Sequence, residues 1–233
     1  MDFDDKTVLV TGGAKRIGRA ICQHLADLGA TVVVHANTSM SDARALAKEL
    51  GGHAVQADLG DPAQAEALLS EAQDAAGSID HVVHNASTFQ RATVADATAA
   101  DLDAMMHLHA WAPWAIDRQA AALGATSVVH VLDTRITAQD PHHVAYLLSK
   151  QALAHLTRTL AVALAPMRVN GVAPGPILEP NDGSGGSLDA AVDATVLGRP
   201  GSPEEVAAAV AFMLDAPYTT GDVLFVDGGR HLR

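Results

Sequence analysis

The sequence predicts an α/β fold, a doubly wound sheet of about seven mostly parallel strands with helices on both faces. Two observations carry this. Short apolar runs alternate with helix-length amphipathic segments from one end of the chain to the other. The short runs, such as Thr7–Val10 and His81–His84, are also continuously apolar or β-branched instead of alternating, the pattern of strands covered on both faces. No repeat, linker or composition shift divides the chain, so residues 1–233 are expected to form a single domain that includes an irregular loop at 176–198.

Taken in order, Thr7–Val10 reads as a strand passing through the glycine-rich TGGAKRIG into a helix at Arg19–Leu28, stopped by Gly29. Thr31–His35 is a second strand, Ser41–Leu50 a helix capped by Ser41 and closed by Gly51-Gly52, and His53–Ala57 a third strand. Pro62 opens a helix to Ala76, and His81–His84 leads into Asn85-Ala86-Ser87. A long helical region at Thr98–Leu123 contains Pro113, which should kink it or start a new segment. Ser127–Leu132 is the fifth strand. A helix carrying Tyr146 and Lys150 continues through Ala165, and Arg168–Val172 is the sixth strand. Within 176–198, Asn181–Ser187 is too rich in glycine and serine for regular structure. Ser202 then caps a helix to Asp215, and Val223–Val226 is the seventh strand.

Composition narrows the function. A net charge of −12 argues against a nucleic-acid partner, which Lys and Arg would have to neutralise. The acidic start MDFDDKTVLV lacks the basic region of a signal peptide, and no apolar run approaches the ~18 residues that span a bilayer, so a soluble cytoplasmic protein is expected, with no membrane partner. Cys22 is the single cysteine, which excludes an intramolecular disulfide and reads as a small buried side chain. The 12 histidines show no metal-binding spacing: His142 and His143 are adjacent, and His107 and His109 stand two apart on a helix. No metal site is expected, and the histidines are read as scattered solvent-exposed or packing residues.

In a doubly wound sheet ligands bind beyond the carboxyl ends of the strands. The residues suggestive of chemistry fall there: Gly12 to Gly18, His35 to Ser39, Asp58, Asn85 to Ser87, Asp133, and Pro174 to Ile177. A glycine loop before a helix brings backbone N–H groups to a pyrophosphate, although alone it is a weak signal. Tyr146 and Lys150, four apart, share a helix face. Such pairs are common by chance, but an ammonium beside a phenol favours the phenolate, making Tyr146 a candidate acid that exchanges its proton near neutrality.

TGGAKRIG, HNAS, the Tyr146/Lys150 pair, VNGVAPG and TGDVLFVDGG together resemble the short-chain dehydrogenase/reductase family over essentially the whole chain. The resemblance implies a Rossmann-type domain in which Tyr146 donates the proton, Lys150 lowers its pKa and holds the nicotinamide ribose, and NAD(P)H supplies hydride. It further implies cofactor contacts from Gly12, Lys15, Arg16, Ile17, Gly18, His35, Asn37, Thr38, Ser39, Asp58, Leu59, Asn85, Ala86, Ser87, Lys150, Pro174 and Gly175.

Three positions depart from the family's common pattern. Arg16 replaces the middle glycine of the loop, Asp133 the serine thirteen residues before the tyrosine, and His109 the asparagine of the preceding helix. Each also has a plain reading, as a phosphate contact, a turn cap and an interior histidine. Lys15-Arg16 and Asp133 are similar to the pteridine reductase branch. HNAST, MMHLH at Met105–His109 and the terminal DGGRHLR resemble its bacterial dihydromonapterin reductases, which also reduce dihydrofolate.

The branch implies that Asp133 and Tyr146 deliver a proton to a ring nitrogen, and that a pterin contacts Arg16, Ser87, Phe89, Asp133, Tyr146 and Pro176, stacking on Phe89. Phe89 also admits a core reading. An acid against the ribose hydroxyl marks NAD enzymes, and His35-Ala36-Asn37-Thr38-Ser39 contains none, so NADPH is the expected cofactor. The family resemblance implies a homotetramer, in which Arg233 approaches a neighbour's site, and Trp111 and Trp114 read as packing or interface residues. Two alternatives stay open: a reductase of carbonyl substrates such as 3-oxoacyl thioesters, and a non-catalytic nucleotide-sensing protein.

Overall fold

The computed structural model describes residues 1–180 and 187–233; residues 181–186 of the expected glycine- and serine-rich loop lie outside them. Seven strands form one fully parallel sheet: β1 (Thr7–Thr11), β2 (Thr31–Ala36), β3 (His53–Gln56), β4 (His81–His84), β5 (Ser127–Val131), β6 (Arg168–Pro174) and β7 (Val223–Val226). Their order is β3-β2-β1-β4-β5-β6-β7. Consecutive strands wind outward from β1 in one direction as far as β3, then from β4 in the other. The crevice between the carboxyl ends of β1 and β4, where the winding reverses, is the ligand position such a topology creates.

Helices α1 (Arg16–Asp27), α2 (Met40–Leu50), α3 (Pro62–Ala76), α4 (Ala99–Met106), α5 (Ala112–Ala122), α6 (Val144–Ala163), α7 (Leu188–Val192) and α8 (Pro203–Asp215) complete the fold. On one face α1, α2 and α8 cover Val8, Val10, Val32 and Val34; on the other α3, α5 and α6 cover Leu9, Val33, Val82 and Val128. Alternate residues of one strand thus feed two cores. Each fully buried Val or Leu contributes about 1.5–3 kcal/mol relative to exposure, which is why no polar alternation survives in these strands.

Three local expectations are corrected and one is met. α2 begins after Ser39 rather than Ser41, and Ser39 makes no side-chain cap bond. α1 starts at Arg16, three residues earlier than its amphipathic pattern suggests, because the glycine loop turns straight into it. Pro113 starts a new segment, one of the two expected outcomes: α4 ends in one π-helical turn, His107–Trp111, and α5 begins with Pro113 in its first turn. Proline lacks the N–H that would bond to the carbonyl of His109, so the wide turn falls just before it. Finally, α7 is a short helix inside the irregular segment, capped by Ser187 Oγ accepting from the Asp189 N–H.

Candidate active site

The glycine loop is shaped by close approach. A Cβ on Gly12 would lie 2.8 Å from the Ala86 Cα, and one on Gly18 would lie 2.2 Å from the Gly12 carbonyl oxygen. Between these glycines Arg16 holds φ +53°, the left-handed conformation glycine would adopt without strain. Asn85 braces the loop, its Nδ2 donating to the carbonyls of Thr11 and Gly12, both at 3.0 Å. Lys15 precedes α1 without a side-chain cap, so the first N–H groups of the helix remain available to a ligand.

His35 lies elsewhere than expected. It does not reach the cavity; buried beneath the loop, its Nδ1 accepts from the Gly12 N–H at 3.1 Å while Nε2 faces the Ala57 carbonyl at 3.0 Å. This pattern requires the neutral tautomer protonated on Nε2, and burial pulls its pKa down to about 4. Its part is to hold the loop. Asn37, Thr38 and Ser39 follow β2, and Asp58 and Leu59 follow β3; none of them walls the main cavity. Asp58 Oδ1 accepts from the Gly60 N–H, and Leu59 is packed in the core. Lys15, exposed, pairs at 3.0 Å with Asp42 of α2, an acid the sequence reading did not weigh.

A cavity of about 800 Å³ opens at the carboxyl ends of β1, β4, β5 and β6. Its walls bring together Gly12, Lys15, Arg16, Ile17 and Gly18 with Asn85, Ala86, Ser87 and Phe89, then Asp133, Tyr146 and Lys150, then Pro174, Gly175 and Pro176. Arg16 reaches across to donate to the Glu179 carbonyl at 2.7 Å, joining the glycine loop to the segment after β6. The glycine cradle, the uncapped helix start and the adjacent cations fit a dinucleotide diphosphate.

At the floor, the Tyr146 hydroxyl donates to Asp133 Oδ2 at 2.9 Å. Asp133 starts the short turn Thr134–Thr137, and its Oδ1 accepts from the Arg135 N–H at 2.8 Å. The turn folds Arg135 back, so that its Nε donates to Asp133 Oδ1 at 3.1 Å and a terminal nitrogen to Oδ2 at 3.0 Å. The other terminal nitrogen donates to Asp140 Oδ2 at 2.8 Å. Arg135 was not among the residues anticipated from sequence. An arginine two residues after an aspartate has no distinguishing spacing until the turn doubles back; the Asp-x-Arg of such a turn is the signal that was there.

This pairing fixes the charges. Burial alone would raise the Asp133 pKa, but the Arg135 guanidinium and its hydrogen bonds hold it below the usual carboxylate range. Burial, and then the Asp133 carboxylate, push the Tyr146 phenol well above its ordinary value. Lys150 donates to the Val131 carbonyl at 2.8 Å, with Nζ 5.9 Å from the Tyr146 ring centre. Burial lowers its ammonium to about 8, against the opposing pull of Asp133. This direction runs against the expectation that Lys150 brings Tyr146 to a near-neutral pKa: burial, and after it the carboxylate in direct hydrogen bond, hold the phenol up. The proton shared by Asp133 and Tyr146 resides on the phenol.

His109, in the π turn, is buried and joined at both nitrogens, with Nδ1 2.8 Å from Ser149 Oγ and Nε2 2.9 Å from Ser87 Oγ. Ser149 donates to the Tyr146 carbonyl, so it accepts from Nδ1–H, which leaves Nε2 to accept from Ser87. Burial holds the imidazole neutral, its pKa well below 6.5. The interior reading of His109 stands, with one consequence: Ser87 spends its proton inward and turns acceptor lone pairs to the cavity. Phe89 is half-buried at the rim, edge-on to Tyr146 and under the Arg135 guanidinium at 4.8 Å. The His143 imidazole stacks on it, ring centres 4.3 Å apart.

Away from the cavity, His84, Asp117 and His130 meet in the core, a cluster that residues so far apart in sequence did not announce. Their ligand-type atoms are already used: Asp117 accepts from His84 Nε2 at 2.7 Å and faces His130 Nε2 at 2.9 Å, while His130 Nδ1 meets Thr157 Oγ1 at 2.8 Å. Burial would raise the Asp117 carboxyl, but the two imidazoles bring it down to about 2.

Fold and site together define a nucleotide-binding oxidoreductase, and the chain belongs to the short-chain dehydrogenase/reductase family. The family model described as enoyl-(acyl carrier protein) reductase matches residues 12–231. An oxidoreductase of Mycobacterium tuberculosis is 34% identical over 247 residues, covering 97% of this chain and 92% of that protein. The dihydromonapterin reductase of Shigella boydii is 29% identical, covering 97% of each. Among solved structures, FolM alternative dihydrofolate reductase 1 from Brucella canis, complexed with NADP, superposes with a TM-score of 0.91 at 36% identity, covering 100% of this chain and 97% of that one. Among the described residues, no helix is long and apolar enough to cross a membrane.

Proposed function

We propose that this chain is an NADPH-dependent dihydropterin reductase, converting dihydromonapterin to tetrahydromonapterin and also accepting dihydrofolate. The observation that carries the reading is the Asp133–Tyr146 hydrogen bond at the cavity floor, with Arg135 holding the carboxylate. Similarity to proteins named dihydromonapterin reductase and alternative dihydrofolate reductase supports it, and the NADP-bound relative supports the choice of cofactor.

Bound NADPH would lie with its diphosphate on Gly12 to Gly18 and would supply the hydride. Everything else falls to side chains. The substrate is a ring C=N whose nitrogen must gain a proton as the adjacent carbon is reduced. Tyr146 holds that proton on its hydroxyl. Delivering it leaves a phenolate beside a carboxylate, and two cations offset this charge: Arg135, 5.5 Å from the Tyr146 ring centre, and Lys150. Phe89 would present an aromatic surface to the pterin, and Ser87 an acceptor to its N–H groups. Exposed Trp111, Leu148 and Val162 support the homotetramer as part of the proposal, to be checked by light scattering.

The competing reading, a reductase of 3-oxoacyl thioesters, takes support from the description of the matching family model. Such a substrate presents a carbonyl oxygen, which the Asp133 carboxylate would repel where a neutral serine would donate. The two are separated by following NADPH consumption with dihydromonapterin, dihydrofolate and an acetoacetyl thioester. Turnover of both pterins is expected; turnover of the thioester alone would overturn the proposal.

A further inference from the structure

Although the chain has a net charge of −12, the described residues of the cavity wall include five cations, Lys15, Arg16, Arg135, Lys150 and Arg230, against one carboxylate, that of Asp133. Four of the five are engaged by groups of the protein. Lys15 pairs with Asp42, Arg16 with the Glu179 carbonyl, Arg135 with Asp133 and Asp140, and Lys150 with the Val131 carbonyl. The half-buried guanidinium of Arg230 has no hydrogen bond or ion pair among the described residues. A guanidinium that lines the cavity and has no acceptor among the described residues is available to pair with a ligand anion.

Its position is built. Asp227 accepts from the Gly229 N–H at 3.0 Å, from the His231 N–H at 2.8 Å and from the Thr134 hydroxyl. These bonds pin the turn Arg230–Leu232 against the turn that begins at Asp133. Arg230 therefore sits at the end of the cavity that holds Asp133 and Arg135, and its electrostatic neighbours are Arg135, Asp133, Asp140 and Asp227. Of the three carboxylates only Asp133 shares the cavity wall, and it is saturated by Arg135.

We infer that Arg230 is a substrate-anion subsite, pairing with a carboxylate or a phosphate ester on the side chain of the dihydropterin. The inference rests on the dihydropterin reading and deepens it. In a dihydropterin the side chain is attached to the ring carbon that accepts the hydride, next to the nitrogen that accepts the proton. A nitrogen within reach of Tyr146 keeps that side chain at the Asp133 end of the cavity, where Arg230 waits. A guanidinium meets either anion with two parallel hydrogen bonds. On the same ring an anionic side chain should thus bind more tightly than its neutral counterpart, while dihydromonapterin, with a neutral side chain, is turned over without using this subsite.

The test compares the wild-type enzyme, Arg230→Gln and Arg230→Lys on a hydroxymethyl-dihydropterin, its phosphate monoester and dihydrofolate. Wild type should show a KM about tenfold lower for the phosphate ester than for the neutral compound, from one charged hydrogen-bonded contact. Arg230→Gln should raise KM for the anionic substrates about 10- to 100-fold, leave the neutral substrate and kcat within about twofold, and Arg230→Lys should recover part of the loss. Whichever anion loses more identifies the source, carboxylate or phosphate. Equal effects on neutral and anionic substrates would overturn the subsite. A fluorescence titration with the oxidised hydroxymethylpterin and its phosphate, which needs no turnover, decides separately. If no dihydropterin were reduced the functional reading would fall, while phosphate discrimination lost in Arg230→Gln would still support the subsite, and its persistence would overturn it.

Discussion

Replacing Arg135 by glutamine removes the guanidinium from Asp133 while keeping a side chain of similar reach. Three hydrogen bonds disappear, two to Asp133 and one to Asp140. Breaking a buried ion pair costs about 3–5 kcal/mol. Here the side chains of Arg135 and Asp133 keep 18% and 16% of their surface in solvent, which puts the figure at the lower end, about 3 kcal/mol. Because Arg135 also offsets the charge left when Tyr146 gives up its proton, that amount should appear in the transition state as about a hundredfold loss in kcat/KM. Lysine, which keeps the charge but not the two-pronged geometry, should lose about tenfold.

The pH profile separates this role from simple structural damage. With Arg135 present the Asp133 carboxyl titrates below its ordinary range; without it, burial dominates and raises the pKa. The acid limb of kcat/KM for dihydropterin should therefore move to higher pH in Arg135→Gln. Steady-state rates across a pH series, with NADPH saturating, measure both effects. A hundredfold loss with an unmoved acid limb would refute the argument, as would wild-type activity.

Three further outcomes are expected. Tyr146→Phe should lower kcat about a thousandfold, within the range of a lost general acid, while leaving NADPH affinity within about twofold by fluorescence titration. Asn37→Asp puts an acid after β2 and should shift cofactor preference towards NADH by about tenfold, read as the ratio of kcat/KM values; unchanged kinetics would remove Asn37 from the cofactor site. His35 links stability to pH. Its folded pKa of about 4 lies below the unfolded 6.5, so its contribution, about 3 kcal/mol, is complete above pH ~6.5 and is lost as pH falls towards 4. Urea midpoints should drop over that window and drop less in His35→Gln; parallel curves would contradict the buried neutral imidazole.

The strands were legible because parallel strands buried on both faces leave no polar position to confuse the pattern, and all seven lie within two residues of their expected bounds. Caps were less so. Ser39 and Ser41 are equally good residue types, and only the path of the chain after β2 selects between them. In the site, Gly12, Asn85, Asp133, Tyr146 and Lys150 could be read from motifs. Which group controls which could not: Arg135 gains its role from a turn that folds it onto Asp133, and Asp117 finds His84 and His130 only through the packing of α5 on β4 and β5. His35 looked like a cofactor residue because it ends a strand at the right place, yet its side chain points beneath the loop. Position along a strand tells where a residue is; the hydrogen bonds available there decide where it faces.

The central claim is that the chain reduces a pterin ring C=N, with Tyr146 and Asp133 supplying the proton. The most direct measurement uses NADPH carrying deuterium at the transferable position and follows the label by mass spectrometry in reactions with dihydromonapterin and with an acetoacetyl thioester. Deuterium should appear on the reduced carbon of the tetrahydropterin in wild type and be nearly absent in Tyr146→Phe over the same time. Label recovered in the thioester's alcohol product, with none in the pterin, would contradict the account.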